Sequence, residues 1–129
     1  WLYNPKAKNK KLNQLLDREK VHDIFYKDAH VHTPFNRELP CPSEKAVSYI
    51  VQSTTSDLFL TSAIKISKML QNKKSYVAFC IHDSLVIDFA KEDQGLIEDL
   101  IKQFSSTMYG TFKTNLSVGK NFGVLKRVV

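Results

Sequence analysis

Three consecutive polar residues, His82, Asp83 and Ser84, separate two apolar runs. The flanking runs, SYVAFCI and LVIDF, are rich in β-branched and aromatic residues, so the triplet is predicted to form the turn of a β-hairpin. A tight turn holds a carboxylate in place, and Mg²⁺ prefers hard oxygen ligands while keeping several of its waters. Asp83 is therefore a candidate metal ligand, although aspartate is also common in turns that perform no chemistry.

A second carboxylate, Asp88, lies five residues beyond Asp83. In a regular strand an odd offset places two side chains on opposite faces. Asp88 is therefore not expected to join Asp83 at one site, unless a bulge changes the alternation.

Histidine and cysteine residues suggest zinc as a rival metal, through His30, His32, Cys41, Cys80 and His82. The usual zinc-ligand spacings, such as C-x₂₋₄-C, are absent, which counts against this alternative. Cys80 also alternates with apolar neighbours, so it is expected to be a buried small hydrophobic residue.

The composition is typical of a globular protein, with 129 residues, 43% of them hydrophobic and 25% charged. No apolar run approaches the roughly 20 residues that span a bilayer, and no secretory signal opens the chain. Two cysteines are too few for a disulfide scaffold, so reduced thiols in an intracellular protein are expected, with a single disulfide as the alternative. The net charge of +6 favours a polyanionic partner such as nucleic acid.

Hydrophobic periodicity predicts the elements that must hold the hairpin in place. A lysine-rich segment over residues 1–11 opens the chain, and a helix is predicted over about 11–27. The stretch 28–45 contains three prolines, which exclude a helix and favour extended segments and turns.

Two long helices are predicted on either side of the hairpin. The first covers about residues 54–71, begins at capping groups near Asp57, and carries an apolar stripe: Phe59, Ala63, Ile66 and Leu70. The second covers KEDQGLIEDLIKQFSSTMYG and ends at Gly110. A short final strand is predicted at 116–118. The fold class is therefore α+β, a small antiparallel sheet containing the hairpin with two long helices packed on it.

Four short motifs resemble, in order, the C-terminal part of the palm of family A DNA polymerases, the bacterial polymerase I type. TPFNRELP at 33–40 is similar to T-x-F-G-R-R-R-x-L-P, shortened by two residues, and VQSTTSD at 51–57 resembles V-Q-G-T-A-A-D. IHDSLV at 81–86 resembles V-H-D-E-L-V, and SVGKNF at 117–122 is similar to V-G-x-N-W. The resemblance covers about residues 30–127 and implies a partial polymerase palm.

The resemblance implies roles for four residues. Asp83 would be catalytic, as one of two aspartates that bind Mg²⁺ for two-metal nucleotidyl transfer. His82 and Gln52 would contact the minor-groove side of the primer–template DNA. Every base pair presents hydrogen-bond acceptors there, so such contacts test the geometry of the base pair without reading the DNA sequence. Arg37 would meet the DNA strand. Apart from the resemblance, Gln52 is a polar residue at a predicted helix start and Arg37 is a surface charge.

The chain departs from the family pattern at three serines. Ser84 stands where the family has Glu, Ser48 where it has Asn, and Ser53 where it has Gly. The first departure bears on metal affinity and the second on minor-groove contacts.

Two family motifs are absent from the chain: D-x-S-x-x-E, with the second metal-binding aspartate, and the fingers pattern K-x₃-K/R-x₇-Y-G, which grips the dNTP. One aspartate cannot organise two metals, so no polymerase activity is predicted for the chain alone. We expect a fragment or subunit of a DNA-directed DNA polymerase, with residues 1–29 ending the fingers region and 30–129 forming the C-terminal part of the palm. The rest of the polymerase, fused to this chain or present as a separate subunit, would cover apolar surface that this chain exposes by itself.

Two alternatives remain open. The chain could be a basic α+β nucleic-acid-binding module without catalysis, or an inactive polymerase remnant kept for assembly. The compact length and divergent motifs suggest a phage or viral source, and hence the cytoplasm of a host cell.

Overall fold

The computed structural model describes residues 17–128, which form an α+β fold of helices and small antiparallel sheets. The lysine-rich segment and the first part of the helix predicted over 11–27 lie outside the described residues. The chain divides into one unit that ends at Thr55 and a second that begins at Ser56.

The first unit opens with a short helix, α1 (Arg18–Phe25), and continues as a three-stranded antiparallel sheet. The Asp17 side chain caps α1 by accepting a hydrogen bond of 3.1 Å from the Lys20 amide. The three strands pair in chain order: β1 (Tyr26–Lys27), β2 (His30–His32) and β3 (Glu38–Pro40).

The predicted end of the first helix at residue 27 is wrong by two residues. Asp28 and Ala29 both have positive φ, 53° and 60°, and form a tight turn that pairs β1 with β2. The backbone of β1 therefore enters the sheet instead of completing another helical turn. The proline-containing stretch is extended and turned, as predicted, and contains no α-helix.

The core of the first unit is small and lies between the sheet and the start of the next helix. Its buried members are Val31, Cys41, Ala46 and Ile50, of which Val31 is completely buried. The Tyr26 hydroxyl donates a hydrogen bond of 3.0 Å to the Cys41 carbonyl beside this core.

A single long helix, α2 (Ala46–Met69), follows a 3₁₀ turn at Ser43–Lys45. Its predicted start near residue 54 is wrong, because the serine and threonine residues there do not cap a new helix. Ser53 is instead buried, and its hydroxyl donates 2.6 Å to the Tyr49 carbonyl one turn earlier.

The long helix α2 has 24 residues, enough in length to cross a bilayer. Within residues 17–128, however, neither α2 nor any other helix combines that length with sufficient apolar character to span a membrane.

The second unit contains the rest of α2 and the predicted hairpin, followed by short elements. A 3₁₀ helix at Lys91–Leu96 leads into α3 (Ile97–Ser105). Six strands form three separate antiparallel pairs: β4 (Tyr76–Ile81) with β5 (Ser84–Asp88), β6 (Ser106–Thr107) with β7 (Gly110–Thr111), and β8 (Ser117–Val118) with β9 (Lys126–Arg127). The predicted final strand is β8, while its partner β9 was not predicted.

The core of the second unit is built on the predicted apolar stripe of α2. Ile66 is 1% exposed and Leu70 is 4% exposed, and both pack with the buried Leu100 of α3. The ring of Phe59 meets Phe104 edge-on, with centroids 5.9 Å apart. The stripe is thus confirmed as the face that supports the hairpin.

The second long helix predicted to end at Gly110 is wrong. The helix α3 has nine residues, and the chain then turns between β6 and β7. The Thr107 hydroxyl donates to the Gly110 carbonyl at 2.9 Å and accepts from the Tyr109 amide at 3.2 Å. These local bonds, together with a φ of 118° at Gly110, replace a further helical turn.

Candidate metal and nucleic-acid site at the hairpin turn

The hairpin turn has two residues, His82 and Asp83, because Ile81 pairs directly with Ser84. This confirms the predicted hairpin, but the turn is one residue shorter than the predicted triplet, because Ser84 begins β5. His82 has a φ of 52°, in the left-handed region that glycine usually occupies in such turns. A non-glycine residue there costs on the order of 1–3 kcal/mol, and such residues cluster at functional sites.

The side chain of Asp83 is exposed at this turn. Its Oδ1 accepts only a long hydrogen bond, 3.4 Å from the Ser84 hydroxyl. Both residues line a cavity of about 350 Å³. The rest of its lining includes apolar side chains of α2, β5 and α3, such as Ile66, Leu85 and Leu100, and a polar stretch with Lys113. The carboxylate is therefore accessible to a ligand from outside.

The strand β5 keeps a regular alternation because the hairpin's irregularity lies in β4, between Val77 and Phe79. Leu85 and Ile87 pack on the core of the second unit, while Asp88 does not line the cavity beside Asp83. The carboxylate of Asp88 instead accepts a hydrogen bond from a residue of β4.

That donor is the Tyr76 hydroxyl, 2.9 Å from Oδ2 of Asp88. The hydrogen bond, and to a lesser degree the negative charge of Asp88, raise the pKa of Tyr76 above its ordinary value. The two carboxylates of the hairpin therefore have different surroundings: Asp88 is hydrogen-bonded to Tyr76, whereas Asp83 lies beside Ser84 at the cavity.

The other face of the hairpin is apolar and open. Tyr76, Phe79 and Ile81 are 57%, 42% and 41% exposed, and the ring of Phe79 meets Phe122 with centroids 5.6 Å apart. Strands that are apolar on both faces are typical of sheets covered on both sides. Exposed apolar surface was expected from the sequence, and this face supplies part of it.

The hairpin is closed at the end opposite the turn by a buried serine. Both the amide and the hydroxyl of Ser75 donate to Oδ2 of Asp93, at 2.8 Å and 2.7 Å. The Ala90 amide donates to the Ser75 hydroxyl at 2.9 Å. We call these three residues the Ser75 clamp. Sequence reasoning missed the clamp, although a serine before one strand and an aspartate soon after the next could have suggested it.

The other two candidate residues belong to the first unit. Gln52 is exposed on α2, more than a full turn after the helix begins, so its expected place near a helix start is wrong. Arg37 is exposed in the bend between β2 and β3. The backbone of that bend is fixed by Thr33, whose amide donates to the Arg37 carbonyl at 2.8 Å and whose hydroxyl accepts from the Arg37 amide.

The metal-binding capacity of the turn is limited. Across residues 17–128, no three histidine, cysteine, aspartate or glutamate side chains are arranged to hold a metal ion. Asp83 offers one carboxylate, with the weakly ligating Ser84 hydroxyl beside it. These residues fit one corner of a Mg²⁺ site and not a complete one, so other ligands would have to come from water, phosphate or another polypeptide.

The cysteines are both free, with Cys41 buried and Cys80 exposed. The expected burial of Cys80 is wrong. Strand pairing places Cys80 opposite Leu85, on the face of the hairpin that is turned towards the core. Leu85 packs against the buried core of Ile66, Leu70 and Leu100, but Cys80 does not. The alternation of a strand thus indicates a face and does not by itself ensure that the face is covered along its whole length.

Comparisons with protein-family models, with curated proteins and with solved structures find no match to this chain.

Proposed function

We propose that the chain is the C-terminal part of the palm of a DNA-directed DNA polymerase of family A, active only when joined by the rest of the enzyme. The observation that carries this proposal is the exposed carboxylate of Asp83 in the two-residue turn of an antiparallel hairpin. The same turn presents His82 in a left-handed conformation, and the motif order supports the assignment.

In this proposal Asp83 is a metal ligand and catalytic residue. Bound Mg²⁺ would stabilise the attacking and leaving oxygens of nucleotidyl transfer. The chain's own contribution is to hold the Asp83 carboxylate at a fixed turn and to present the His82 ring, which can donate or accept a hydrogen bond, to the primer terminus. Gln52 and Arg37 would contact primer–template DNA.

The structure also supports the need for a further polypeptide. Among the described residues that line the cavity at the turn, Asp83 supplies the one carboxylate, whereas two metals would need at least one more. Within residues 17–128, β4 and β5 pair only with each other. The exposed face of β4, with Tyr76, Phe79 and Ile81, is a surface that the rest of the enzyme would cover.

The test is template-directed primer extension by the chain assembled with a polymerase region that carries D-x-S-x-x-E and the fingers. Asp83→Ala should abolish dNTP incorporation while leaving DNA binding nearly intact. The matched control is Asp88→Ala, which removes another exposed carboxylate from the same hairpin and should retain most activity. Incorporation that survives Asp83→Ala would show that the catalytic assignment is wrong.

A second candidate is a nucleic-acid-binding module without catalysis. The net charge of +6 favours it, as does the lining of the cavity beside Asp83, which includes no second carboxylate among the described residues. Binding would then fall steeply with salt because counterions are released from the phosphates. Under this alternative Asp83→Ala would alter nothing except a modest gain in DNA affinity, since it removes a negative charge, and no assembly would incorporate nucleotides.

A further inference from the structure

The Ser75 clamp joins the two ends of the hairpin through one side chain. Ser75 immediately precedes β4, and Ala90 follows shortly after β5. The Ser75 hydroxyl accepts from the Ala90 amide and donates to Asp93, so one buried oxygen connects both strand ends to the following 3₁₀ helix. Ser75 is 1% exposed, which leaves water little access to these bonds.

The electrostatic surroundings of Asp93 favour its charged form. The hydrogen bond from the Ser75 hydroxyl, followed by that from the Ser75 amide, lowers the pKa of Asp93 below its ordinary value, and Lys73 acts in the same direction. The neighbouring Glu92 is paired with Lys74 at 2.6 Å. The clamp is thus built around a carboxylate that remains ionised at neutral pH.

The clamp adds to two other restraints on the hairpin, the packing of Leu85 and Ile87 on the core and the Tyr76–Asp88 hydrogen bond. A two-stranded hairpin is marginally stable by itself, and within the described residues β4 and β5 have no third strand. A slip of one residue would exchange the faces of Leu85 and Ser84 and displace the turn. The left-handed backbone of His82 persists only where the surrounding structure over-determines it.

We infer that Ser75 and Asp93 are positioning residues that fix the register of the hairpin and thereby the place of the Asp83 carboxylate. The purpose of that placement rests on the proposed function, whereas the effect on the hairpin does not. Neither residue contacts Asp83, so both act through the backbone of β4 and β5.

The experiment uses the full 129-residue chain and two-dimensional ¹H–¹⁵N NMR. Ser75→Ala removes the hydroxyl, and Asp93→Asn keeps the shape of the acceptor but removes its charge. The control is Thr107→Ala, which removes a hydroxyl that bridges the β6–β7 turn of the same unit by two hydrogen bonds.

The first readout is hydrogen exchange of the backbone amides paired between β4 and β5. Ser75→Ala should accelerate their exchange at least tenfold more than that of the α3 amides, and Asp93→Asn should do so by a smaller factor. Thr107→Ala should leave the β4–β5 amides unchanged. Equal acceleration in the hairpin and in α3 would overturn the inference, since it would show only a general loss of stability.

The second readout is the broadening of the His82 and Asp83 amide signals by Mn²⁺ at increasing concentration. Ser75→Ala should weaken this binding at least threefold, a change that a purely structural role elsewhere in the fold would not produce. If Mn²⁺ does not bind the wild-type chain, the result contradicts the proposed metal role of Asp83 but not the role of the clamp. The role of the clamp is still decided by hydrogen exchange.

The third readout is a pH titration of the Ser75 amide shift, which reports the state of Asp93 directly. Because the folded-state pKa of Asp93 is lowered, the clamp should persist to a lower pH than an ordinary aspartate would allow and open as the pH falls through that lowered pKa. Asp93→Asn should remove this transition. If the chemical shift of the Ser75 amide still titrates in the same way in Asp93→Asn, the assignment of Asp93 to the clamp is overturned. Should Ser75→Ala fail to fold, the hydrogen-exchange test is made with Asp93→Asn.

Discussion

The Tyr76 hydroxyl and the Asp88 carboxylate meet across the first residue pair of the hairpin, 2.9 Å apart. This contact gives Asp88 a structural role at the base of the hairpin, at the end opposite the turn that carries Asp83. An acid five residues beyond a candidate metal ligand is therefore explained without assigning it to the metal.

The Tyr76–Asp88 contact predicts an unusual tyrosine ionisation. Because the hydrogen bond and the charge of Asp88 raise the pKa of Tyr76, the bond is fully present at neutral pH and is lost as the pH rises through that raised pKa. Titration of ¹³C-labelled tyrosine rings should show Tyr76 ionising above the ordinary value, and Asp88→Asn should lower its midpoint. Asp99→Asn, an exposed acid on α3, is the control and should leave the midpoint unchanged.

The turn conformation of His82 predicts which residues can replace it. Asparagine tolerates a positive φ, whereas a β-branched residue is an outlier there. We expect His82→Asn to change stability little and His82→Val to lower the free energy of unfolding by about 1–2 kcal/mol relative to it. Urea denaturation of both variants measures the difference, and equal midpoints would show that the turn relaxes without strain.

The Ser84 hydroxyl lies beside the carboxylate of Asp83 and is exposed, so a longer acidic side chain has room at this position. If the chain works as part of a polymerase, Ser84→Glu should raise incorporation by the assembled enzyme several-fold and lower the Mg²⁺ concentration required, since a second carboxylate adds a hard oxygen ligand. Ser84→Gln provides the length without the charge and should not do so. No gain with Glu would favour the inactive remnant.

The two cysteines should differ sharply in reactivity. Cys80 is exposed and Cys41 is 6% exposed, so a thiol reagent has access to the first and not to the second. Under native conditions, mass spectrometry after alkylation should find Cys80 labelled at least tenfold faster than Cys41. In denaturant the two rates should converge, and similar native rates would contradict the burial of Cys41.

The sequence predicted the hairpin and its turn well because their signals are local. Two apolar, β-rich runs separated by His82, Asp83 and Ser84 indicate a hairpin without reference to the rest of the chain, although the turn has two residues and not the predicted three. The helical stripe ending at Ile66 and Leu70 was equally visible, since burial follows the 3.6-residue period.

Element ends were predicted less well, because they depend on competing hydrogen bonds. Ser53 could cap a helix or bond back within one, and periodicity does not distinguish these outcomes. The Ser75 clamp was missed for a related reason: its members are 15 and 18 residues apart and meet only after the hairpin forms. The exposure of Cys80 likewise depends on which part of a strand the core covers.

The apolar stripe of α2 leads to a final prediction with a matched pair on one helix. Ile66 is 1% exposed in the core beneath the hairpin, while Ile64 is 57% exposed. Ile66→Ala removes the same atoms as Ile64→Ala but leaves a cavity, so it should cost about 2–5 kcal/mol of unfolding free energy, against less than about 1 kcal/mol for Ile64→Ala. Chemical denaturation checks both values.

Since Ile66 packs with Leu100 under β5, the loss of its side chain in Ile66→Ala should also accelerate hydrogen exchange in β4 and β5. A cost at Ile64 equal to that at Ile66 would mean that the open face of α2 is covered in solution, for example by a second copy of the chain, and the midpoint would then depend on protein concentration.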